Sequence, residues 1–359
     1  MKLYEYMGKK LFDEYGIPVP KGKVAKTPDE VEKITTEIGE TVIKAQILSG
    51  KRGKAGGIKF TADPTEAKEF AKTLLGSQLL GMPVDALLVE EKLKIDKEYY
   101  VAITIDGEKR CPVVLASTYG GMDIEDVPEE HMVRYHIDYK VGMMPFISRE
   151  ITRLMGLAEP EDRQVRKVLE ILYKMFVELD AELLEINPLV VSNDKIIAAD
   201  AKVTIDDEAL YRHPELPYVE ERTASEKKAH DMGLSYVELN GDIGVMANGA
   251  GITMATLDTI QHYGGAAANF LDAGGGAGEE ATAQALGLIL ERNPKAILIN
   301  IFGGITRCDD VANAFISVKN RTEIPVPVVI RLVGTNQEEG RQILKEAGIE
   351  TFKTMHEAA

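Results

Sequence analysis

The sequence predicts an α/β protein with two regions of different architecture: an α+β region with mostly hairpin connections, then a doubly wound parallel sheet. In the first half, apolar runs of strand length are separated by short turn-forming clusters. In the second half, short apolar runs alternate with segments of helical length. Between them, the stretch from about 206 to 235 is charged, contains Pro214 and Pro217, and lacks a strand pattern, as expected of a domain boundary.

Residue patterns typical of helix N-termini predict where helices of the first half begin. Thr27 supplies an N-cap, followed by Pro28 at the first helical position and Glu30 as a capping-box partner. The run 63–66 repeats this signal, and a long helix is expected over 161–179. The predicted strands of this half are 41–47, 58–60, 86–91, 98–105 and 111–117.

Five short apolar runs divide the second half, and each of the first four is followed by a glycine- or asparagine-bearing turn and a helix-length segment. That alternation is typical of a parallel, doubly wound sheet of the flavodoxin-like class. The runs are 243–247, 267–271, 296–302, 326–332 and 349–352. We therefore expect two domains, 1–225 and 236–359.

Composition excludes several classes of protein. Of the 359 residues, 45% are hydrophobic and 28% are charged, which is the profile of a globular protein with two or three domains. The formal charge of −16 argues against a nucleic-acid surface. No apolar run has the length of a membrane span, and the first residues are no secretory signal, so we expect a cytoplasmic location. Cys111 and Cys308 lack the spacing of a disulfide framework or a zinc site.

The most informative local pattern is a predicted β-hairpin. Two alternating runs, 183–191 and 196–203, flank a cluster of turn formers centred between Asn193 and Asp194. The numbers of directly opposed residues then sum to 387, and opposed Cβ atoms in such a pair lie about 4.5–5.5 Å apart. The apolar face of the two strands is large enough to hold this register, because a slip of one residue would invert every side chain.

The other face of the hairpin gathers four polar side chains. The register sets Asn187 opposite Asp200, and Glu185 opposite Lys202. A carboxylate beside an amide oxygen, with no third protein ligand evident, suits Mg²⁺, which keeps its waters and takes phosphate oxygens as further ligands. A solvated face with a surface ion pair between Glu185 and Lys202 explains the same pattern, and the hairpin alone does not decide between the two.

A basic, glycine-rich loop joins two of the predicted strands. Residues 50–57 are suited to fold over a triphosphate, but they lack the Walker pattern, and a solvated hairpin turn is the commoner structure of such a loop. Lys44 favours the nucleotide, because it interrupts an apolar strand just before the loop, where a buried ammonium needs an anionic partner. The cations in and before this loop, together with a metal ion held by the hairpin, would surround a phosphoryl group with positive charge.

Glycine-bearing loops follow four of the predicted parallel strands. The carboxyl ends of such strands meet at one edge of the sheet, where glycines before a helix favour an anionic ligand. These loops are 248–251, 272–278, 303–307 and 334–336. A dinucleotide dehydrogenase is the alternative, because Gly249 and Gly251 follow a strand, with Asp272 about twenty residues further on. However, Met254 stands where the third glycine of that motif belongs.

Several motifs, taken in order, carry a resemblance that covers essentially the whole chain. They are Leu3-x-Glu5-Tyr6, Gly50-x-Arg52-Gly53-Lys54-Ala55-Gly56-Gly57, Glu185-Ile186-Asn187-Pro188-Leu189, Asn248-Gly249-Ala250-Gly251, Asn269-Phe270-Leu271-Asp272 with its glycine triplet, and Asn300-Ile301-Phe302-Gly303-Gly304-Ile305-x-Arg307-Cys308-Asp309. In these motifs the chain resembles the β subunits of succinate–CoA ligases, also called succinyl-CoA synthetases.

The resemblance implies an ATP-grasp amino-terminal region, a flavodoxin-like ligase domain and four sets of site residues. ATP or ADP would be bound by Lys44, Lys51, Arg52, Gly53, Glu90, Leu93 and Glu98. Mg²⁺ would be held by Asn187 and Asp200, which the hairpin register also indicates. The dicarboxylate would be bound by Asn248, Gly304, Ile305 and Thr306, and phosphate by Gly274, Gly275 and Gly276.

The resemblance also implies a partner. None of the six histidines lies in a glycine loop or at a strand end suited to a phosphate carrier. In the family, the phosphorylated histidine belongs to an α subunit that also binds CoA, so this chain is expected to act with such a subunit. Glu185 is the candidate catalytic residue, which would orient the incoming histidine, with Lys202 as its neutralising neighbour.

The implied reaction is ATP + succinate + CoA = succinyl-CoA + ADP + phosphate. A malate–CoA ligase is the nearest alternative, because malate adds only one hydroxyl to succinate. A non-catalytic nucleotide or acyl-CoA sensor on the same scaffold is a further alternative. The sequence leaves open whether ATP or GTP is preferred and whether the assembly is αβ or α2β2.

Overall fold

A computed structural model describes residues 1–274, 279–304, 306–321 and 323–359. Contacts within these residues divide the chain into two compact units, Met1–Glu221 and Arg222–Ala359. Each unit has its own apolar core, and each is described by itself below.

The first unit, in which every residue is described, contains five α-helices and twelve strands. The helices are α1 (Glu5–Tyr15), α2 (Pro28–Ile38), α3 (Pro64–Leu74), α4 (Pro145–Leu154) and α5 (Glu161–Glu178). The strands are β1 (Gly22–Ala25), β2 (Thr41–Ala45), β3 (Ile58–Thr61), β4 (Gln78–Leu79), β5 (Met82–Pro83), β6 (Leu87–Glu91), β7 (Lys97–Asp106), β8 (Cys111–Ser117), β9 (Val133–His136), β10 (Ala181–Ser192), β11 (Lys195–Ala198) and β12 (Lys202–Ile205).

Antiparallel pairing builds the sheets of the first unit. One sheet has the order β1-β6-β2-β3, and a larger sheet has the order β11-β10-β7-β8-β9, with β12 also paired to β10. β4 and β5 form a small separate hairpin. The predicted α+β architecture is confirmed, and the basic glycine-rich loop joins two neighbouring strands, β2 and β3, as expected.

The first predicted helix start signal forms in full, and the second forms without the capping-box bond of its glutamate, Glu66. The hydroxyl of Thr27 accepts a hydrogen bond from the N–H of Glu30, whose carboxylate accepts from the N–H of Thr27 at 3.1 Å. Asp63 caps α3 by accepting from the N–H of Thr65 at 2.8 Å. These caps satisfy backbone donors that the first turn of a helix leaves unpaired, so α2 and α3 begin at their prolines.

The strand β10 has one face in the core of the first unit and one polar face. Leu184 and Ile186 point inward and are fully buried in one cluster with Val168 and Leu172 of α5. Glu185, which lies between them, points to the opposite face, because successive side chains alternate across a strand. The apolar stripe of α5 therefore anchors the strand that carries the candidate metal ligand.

The hairpin register predicted from the sequence is confirmed. β11 pairs with one part of β10 and β12 with another, and in both ladders the numbers of opposed residues sum to 387 up to the pair of Leu183 and Thr204. Glu185 lies opposite Lys202, as predicted. Asn187 and Asp200 lie between the two ladders, and because the register is the same on both sides, they keep opposed positions.

The second unit is an α/β domain in which helices connect the strands of one sheet. Its described helices are α6 (Ala224–Asp231), α7 (Ala250–His262), α8 (Glu279–Glu291), α9 (Cys308–Arg321), α10 (Gln337–Glu346) and α11 (Met355–Ala358). Its described strands are β13 (Ser235–Glu238), β14 (Ile243–Ala247), β15 (Asn269–Asp272), β16 (Ala296–Gly303), β17 (Val328–Gly334) and β18 (Thr351–Phe352).

The strand order of this sheet is β13-β15-β14-β16-β17-β18, and the last five strands run parallel. Counted from β14, the parallel strands have the order 2-1-3-4-5, which is the flavodoxin-like arrangement. The predicted doubly wound sheet of about five parallel strands is therefore confirmed.

Two elements near the expected boundary at 206–235 were not predicted, namely the helix α6 within it and the strand β13, which begins at its end. Thr223 and Glu226 form a capping box at the start of α6, and β13 adds an antiparallel edge strand beside β15. Within β13 the one buried side chain is Tyr236. A four-residue edge strand with a single buried residue carries too short an apolar pattern to be recognised in the sequence.

We predict that Leu184→Ala destabilises the first unit by about 2–5 kcal/mol, because it opens a cavity in the fully buried cluster beneath β10. Urea unfolding followed by far-UV circular dichroism measures the loss. Val177→Ala, at an exposed position of α5, is the control and should change the free energy of unfolding by about 0.5 kcal/mol or less. Equal effects of the two substitutions would contradict this account of the core.

Candidate functional site

The polar face of the hairpin borders a cleft of about 320 Å³ in the first unit. Among its lining residues are five of the predicted site residues, namely Lys51, Arg52, Glu185, Asn187 and Asp200. The basic loop supplies the first two and the hairpin supplies the other three. The structure thus brings the two predicted metal ligands and the predicted nucleotide-binding loop to one cavity.

Asn187 is held by a glycine turn that the sequence analysis overlooked. Its Oδ1 accepts a hydrogen bond from the N–H of Gly121 at 2.8 Å, and its Nδ2 donates to the carbonyl of Met122 at 2.9 Å. These two bonds settle which way the amide faces. A Cβ at Gly121, where φ is +72°, would lie 2.5 Å from the carboxylate of Glu98, so this turn depends on glycine.

Asp200 lies beside the guanidinium of Arg52. Nη2 of Arg52 is 3.3 Å and 3.2 Å from the two carboxylate oxygens, and one of those oxygens also accepts the N–H of Ala201 at 2.6 Å. Arg52 itself is buried, and Nη1 donates to the carbonyl of Ala45 at 3.2 Å. Its side chain is therefore part of the wall of the cleft rather than a solvated arm of the loop.

Behind the cleft, Lys44 lies in a buried ion cluster. Its Nζ is 2.8 Å from Glu5 and 3.0 Å from Glu90, and it donates to the carbonyl of Ala199 at 2.7 Å. The sequence predicts a nucleotide as the anionic partner of Lys44. Two carboxylates of the chain already fill that role, so burial of Lys44 does not by itself require a ligand.

Lys9 completes the cluster. Its ammonium contacts both oxygens of Glu90, at 2.7 and 2.6 Å, and one oxygen of Glu5 at 2.9 Å. Glu5 also pairs with Arg52. Sequence reasoning missed Glu5 and Lys9, because two opposite charges four residues apart on α1 look like an ordinary surface pair.

The cluster shifts the pKa values of its members. Burial raises the pKa of Glu5, but the three neighbouring cations outweigh this and hold the pKa below its usual range. Burial lowers the pKa of Lys44, but Glu5 and Glu90 reverse this and raise it. The pKa of Asp200 is raised, by burial first and then by Glu5, against the opposing effect of the cations. The lysine and the glutamate are therefore charged at neutral pH.

The donor atoms at Asn187 and Asp200 fit Mg²⁺. Oδ1 of Asn187 has a lone pair beyond the one that accepts from Gly121, and the half-buried Asp200 carboxylate lines the same cleft. Among the described residues, no group of three His, Cys, Asp or Glu side chains is arranged to hold a metal. An ion at this pair would therefore complete its shell with water and phosphate oxygens, as Mg²⁺ does.

Glu185 and Lys202 lie on the same wall. Their charged atoms are 3.8 Å apart, and the carboxylate is largely buried whereas the lysine is exposed. Burial raises the pKa of Glu185; Lys202 opposes the rise, and Asp200 and Glu125 add to it. A carboxylate with a raised pKa beside a candidate phosphate site is suited to hydrogen-bond a titrating group such as an imidazole.

The remaining predicted nucleotide residues do not line this cleft. Glu90 lines a depression of about 350 Å³ on the far side of the ion cluster. Glu98 lines another, of about 530 Å³. Leu93 is half-buried in the segment between β6 and β7, and Gly53 is exposed at the end of the basic turn. Their assignment to the nucleotide stays a prediction.

In the second unit, strand ends place Asn248 beside the loop that follows β16. Its amide donates to and accepts from the backbone of Phe302, at 2.9 Å in both bonds, and the N–H of Gly304 bonds the same carbonyl at 3.1 Å. Thr306 is buried within that loop. Asn248, Gly304 and Thr306 are thus brought together, whereas Ile305 lies outside the described residues.

Asp272 joins two of the glycine loops. One of its carboxylate oxygens accepts from the N–H of Gly249 at 2.5 Å and from the N–H of Gly274 at 2.8 Å. An acid that binds the backbone in this way is not free to bind a ribose, which argues against the dehydrogenase alternative. Gly275 and Gly276, the other members of the predicted phosphate loop, lie outside the described residues.

Comparison with known proteins places these features in a family. Residues 2–191 match the ATP-grasp domain family, and residues 246–359 match the CoA-ligase family. The chain is 44% identical over its whole length to the succinate–CoA ligase (ADP-forming) β subunit of Staphylothermus marinus, 97% of which is covered. The corresponding protein of Aquifex aeolicus is 45% identical over 97% of this chain and 94% of that protein.

The chain belongs to the succinate–CoA ligase β-subunit family. The fold expected from the resemblance, an ATP-grasp region followed by a ligase domain, is thereby confirmed. A solved structure of ATP citrate lyase from Methanothrix soehngenii superposes with a TM-score of 0.73, covering 99% of this chain and 97% of that one. At 22% identity, this likeness shows a shared fold. None of the described helices combines the length and the apolar character needed to cross a bilayer.

For this member of the β-subunit family, we predict that Glu185→Gln raises stability at neutral pH. A carboxyl whose pKa is raised by folding stabilises the folded state fully below the ordinary value of 4.5, and this contribution is lost as the pH rises through the raised value. The variant lacks that loss, so its melting temperature should exceed that of the wild type at pH 7 and match it near pH 4. Calorimetry without added metal or nucleotide measures this. Glu182→Gln, exposed on the same strand, should show no such trend, and a pH-independent gain for Glu185→Gln would refute the prediction.

Proposed function

We propose that the chain is the nucleotide-binding β subunit of an ADP-forming succinate–CoA ligase, which catalyses ATP + succinate + CoA = succinyl-CoA + ADP + phosphate with an α subunit. The observation that carries the proposal is the cleft of the first unit, where Asn187 and Asp200 lie together with Lys51 and Arg52. Full-length relatives named for this activity support it. Two oxygen ligands facing a basic loop are the arrangement that a magnesium–triphosphate requires.

In this proposal the cleft binds and orients the nucleotide. Lys51 and Arg52 contact its phosphates from the basic loop, while Lys44 supports them from behind. Bound Mg²⁺ at Asn187 and Asp200 would neutralise charge on the phosphates. Glu185 accepts a hydrogen bond from one ring nitrogen of the incoming histidine and so aims the other nitrogen at the phosphorus.

The histidine must come from the partner. All six histidines of the chain are described, and none of them lines the cleft. His213 and His136 are instead paired with Asp180 and Asp106, at 2.8 and 2.7 Å. We therefore assign the phosphohistidine and the CoA site to an α subunit, as the family resemblance implies.

The second unit supplies the other half of the reaction in this proposal. Asn248, Gly304, Ile305 and Thr306 bind the dicarboxylate, and the loop Gly274–Gly276 receives the phosphoryl group. Support comes from the bonds that already join Asn248 to the loop after β16. Backbone N–H groups at glycine turns are suited to carboxylate and phosphate oxygens.

The rivals make different predictions in solution. A malate–CoA ligase would turn over malate in preference to succinate. A non-catalytic sensor would bind nucleotide without phosphorylating the α subunit. Assays of the complex with both acids and with ADP and GDP separate these possibilities, and its mass distinguishes αβ from α2β2.

We predict that Asp200→Asn lowers Mg²⁺-dependent phosphorylation of the α-subunit histidine on the order of a hundredfold or more, because the substitution removes a charged ligand. Phosphorylation with radiolabelled ATP measures this. Asp194→Asn, in the turn of the same hairpin, is the matched control, since asparagine tolerates the left-handed conformation there (φ +59°). Full phosphorylation by Asp200→Asn would remove the metal assignment.

We also predict that Asn248→Ala raises the KM for succinate about tenfold, which corresponds to the loss of about one hydrogen bond, and leaves the KM for ATP unchanged. Steady-state assays that vary one substrate at a time measure both constants. Asn313→Ala, at an exposed position of α9, should alter neither. A parallel rise in both KM values for Asn248→Ala would argue against a role in binding the dicarboxylate.

A further inference from the structure

The amino-terminal helix contributes two charged side chains to the first unit that no part of the proposed mechanism uses. Glu5 and Lys9 are each 4% exposed. Ionised side chains are rarely buried to this extent unless they are paired, because desolvation disfavours the charged form. Here Glu5 lines the cleft that is proposed to bind the nucleotide, and Lys9 lies next to it in the buried cluster.

Glu5 occupies the central position among the buried charges. One of its oxygens is 2.8 Å from Lys44 and 2.9 Å from Lys9, and the other pairs with Arg52. In the ion pairs of the described residues, Glu90 contacts two of these cations and Asp200 contacts one. Glu5 is thus the carboxylate that touches all three cations.

The cluster is electrically balanced. Glu5, Glu90 and Asp200 supply three negative charges, and Lys9, Lys44 and Arg52 supply three positive charges. Arg52 is the one cation that reaches the cleft-lining carboxylate of Asp200, and it does so from a position shared with Glu5. Its positive charge is therefore divided between two carboxylates.

This sharing bears directly on the proposed metal site. A guanidinium that pairs only with Asp200 would compete with Mg²⁺ for the carboxylate oxygens and would repel the ion. A second carboxylate on the same guanidinium weakens that competition. Groups that orient a ligand in this way commonly alter metal affinity by tenfold or more.

We propose that Glu5 is a positioning residue, which shares Arg52 with Asp200 and so keeps the Asp200 carboxylate available to a magnesium–nucleotide. This inference rests on the proposed function. It assigns to α1 a role in metal affinity rather than in stability alone. Without the charge of Glu5, the nearest carboxylate left to Arg52 is Asp200, and the cluster carries one unbalanced positive charge.

The test compares Glu5→Gln with the matched control Glu14→Gln, which is exposed on the same helix and pairs with Lys10 at 3.7 Å. Calorimetric titration of the full chain with ADP, at a series of Mg²⁺ concentrations, measures the metal concentration that gives half-maximal binding. We expect that concentration to rise about tenfold for Glu5→Gln and to stay at the wild-type value for Glu14→Gln.

A double variant, Glu5→Gln with Lys9→Met, separates positioning from stability. It removes one charge of each sign, so the cluster is again balanced, but Arg52 still has only Asp200 as a partner. We expect the melting temperature to recover toward the wild-type value while the Mg²⁺ requirement for ADP binding stays raised. The double variant also provides a folded protein for the titration if Glu5→Gln alone unfolds.

Two results would overturn the inference. One is a wild-type Mg²⁺ dependence in Glu5→Gln. The other is a double variant that recovers melting temperature and metal dependence together, because a purely structural role predicts that outcome. If the wild-type chain binds no ADP at any Mg²⁺ concentration, the proposed function fails first, and the inference fails with it.

Discussion

The pairing register of β10 is the constraint on which the candidate site depends. It sets Glu185 opposite Lys202 and leaves Asn187 and Asp200 opposed between two ladders. Buried side chains hold that register on both sides of an irregularity in the strand between Ile186 and Leu189, since a slip of one residue would turn the polar face into the core. Packing thus determines electrostatics here: buried side chains that make no contact with a ligand decide which oxygens border the cleft.

The buried ion cluster behind the cleft is an arrangement that costs free energy to form. Ion pairs of this kind are often no more stabilising than apolar residues of the same volume, because desolvation offsets their attraction. Lys44 and Glu90 nevertheless lie buried behind the site, and each has two oppositely charged partners. The cluster holds cationic side chains in fixed positions, which the proposed function would use to bind phosphate.

Much of this could be predicted from the sequence, and the misses have physical causes. The parallel sheet and the hairpin were predictable because apolar periodicity reports which faces are buried. The partners of Lys44 were not, since Glu5 lies 39 residues away in the chain and an acidic residue on a helix carries no sign of burial. The hydrogen bond from Gly121 to Asn187 could not be predicted either, because a long-range bond from a backbone N–H leaves no pattern in the sequence. The edge strand β13 was too short to be recognised.

Asp272 ties the loops that begin at Gly249 and Gly274 to a single oxygen atom. The backbone at Gly249 and the backbone at Gly274 therefore share one anchor, and a displacement of either residue strains a hydrogen bond to the same oxygen. In the proposed function, the entropic cost of fixing the backbone at Gly249 and Gly274 is therefore met when the protein folds and not when an anion binds. An acidic side chain thus fixes the backbone at the edge of the sheet where the proposed function places an anion.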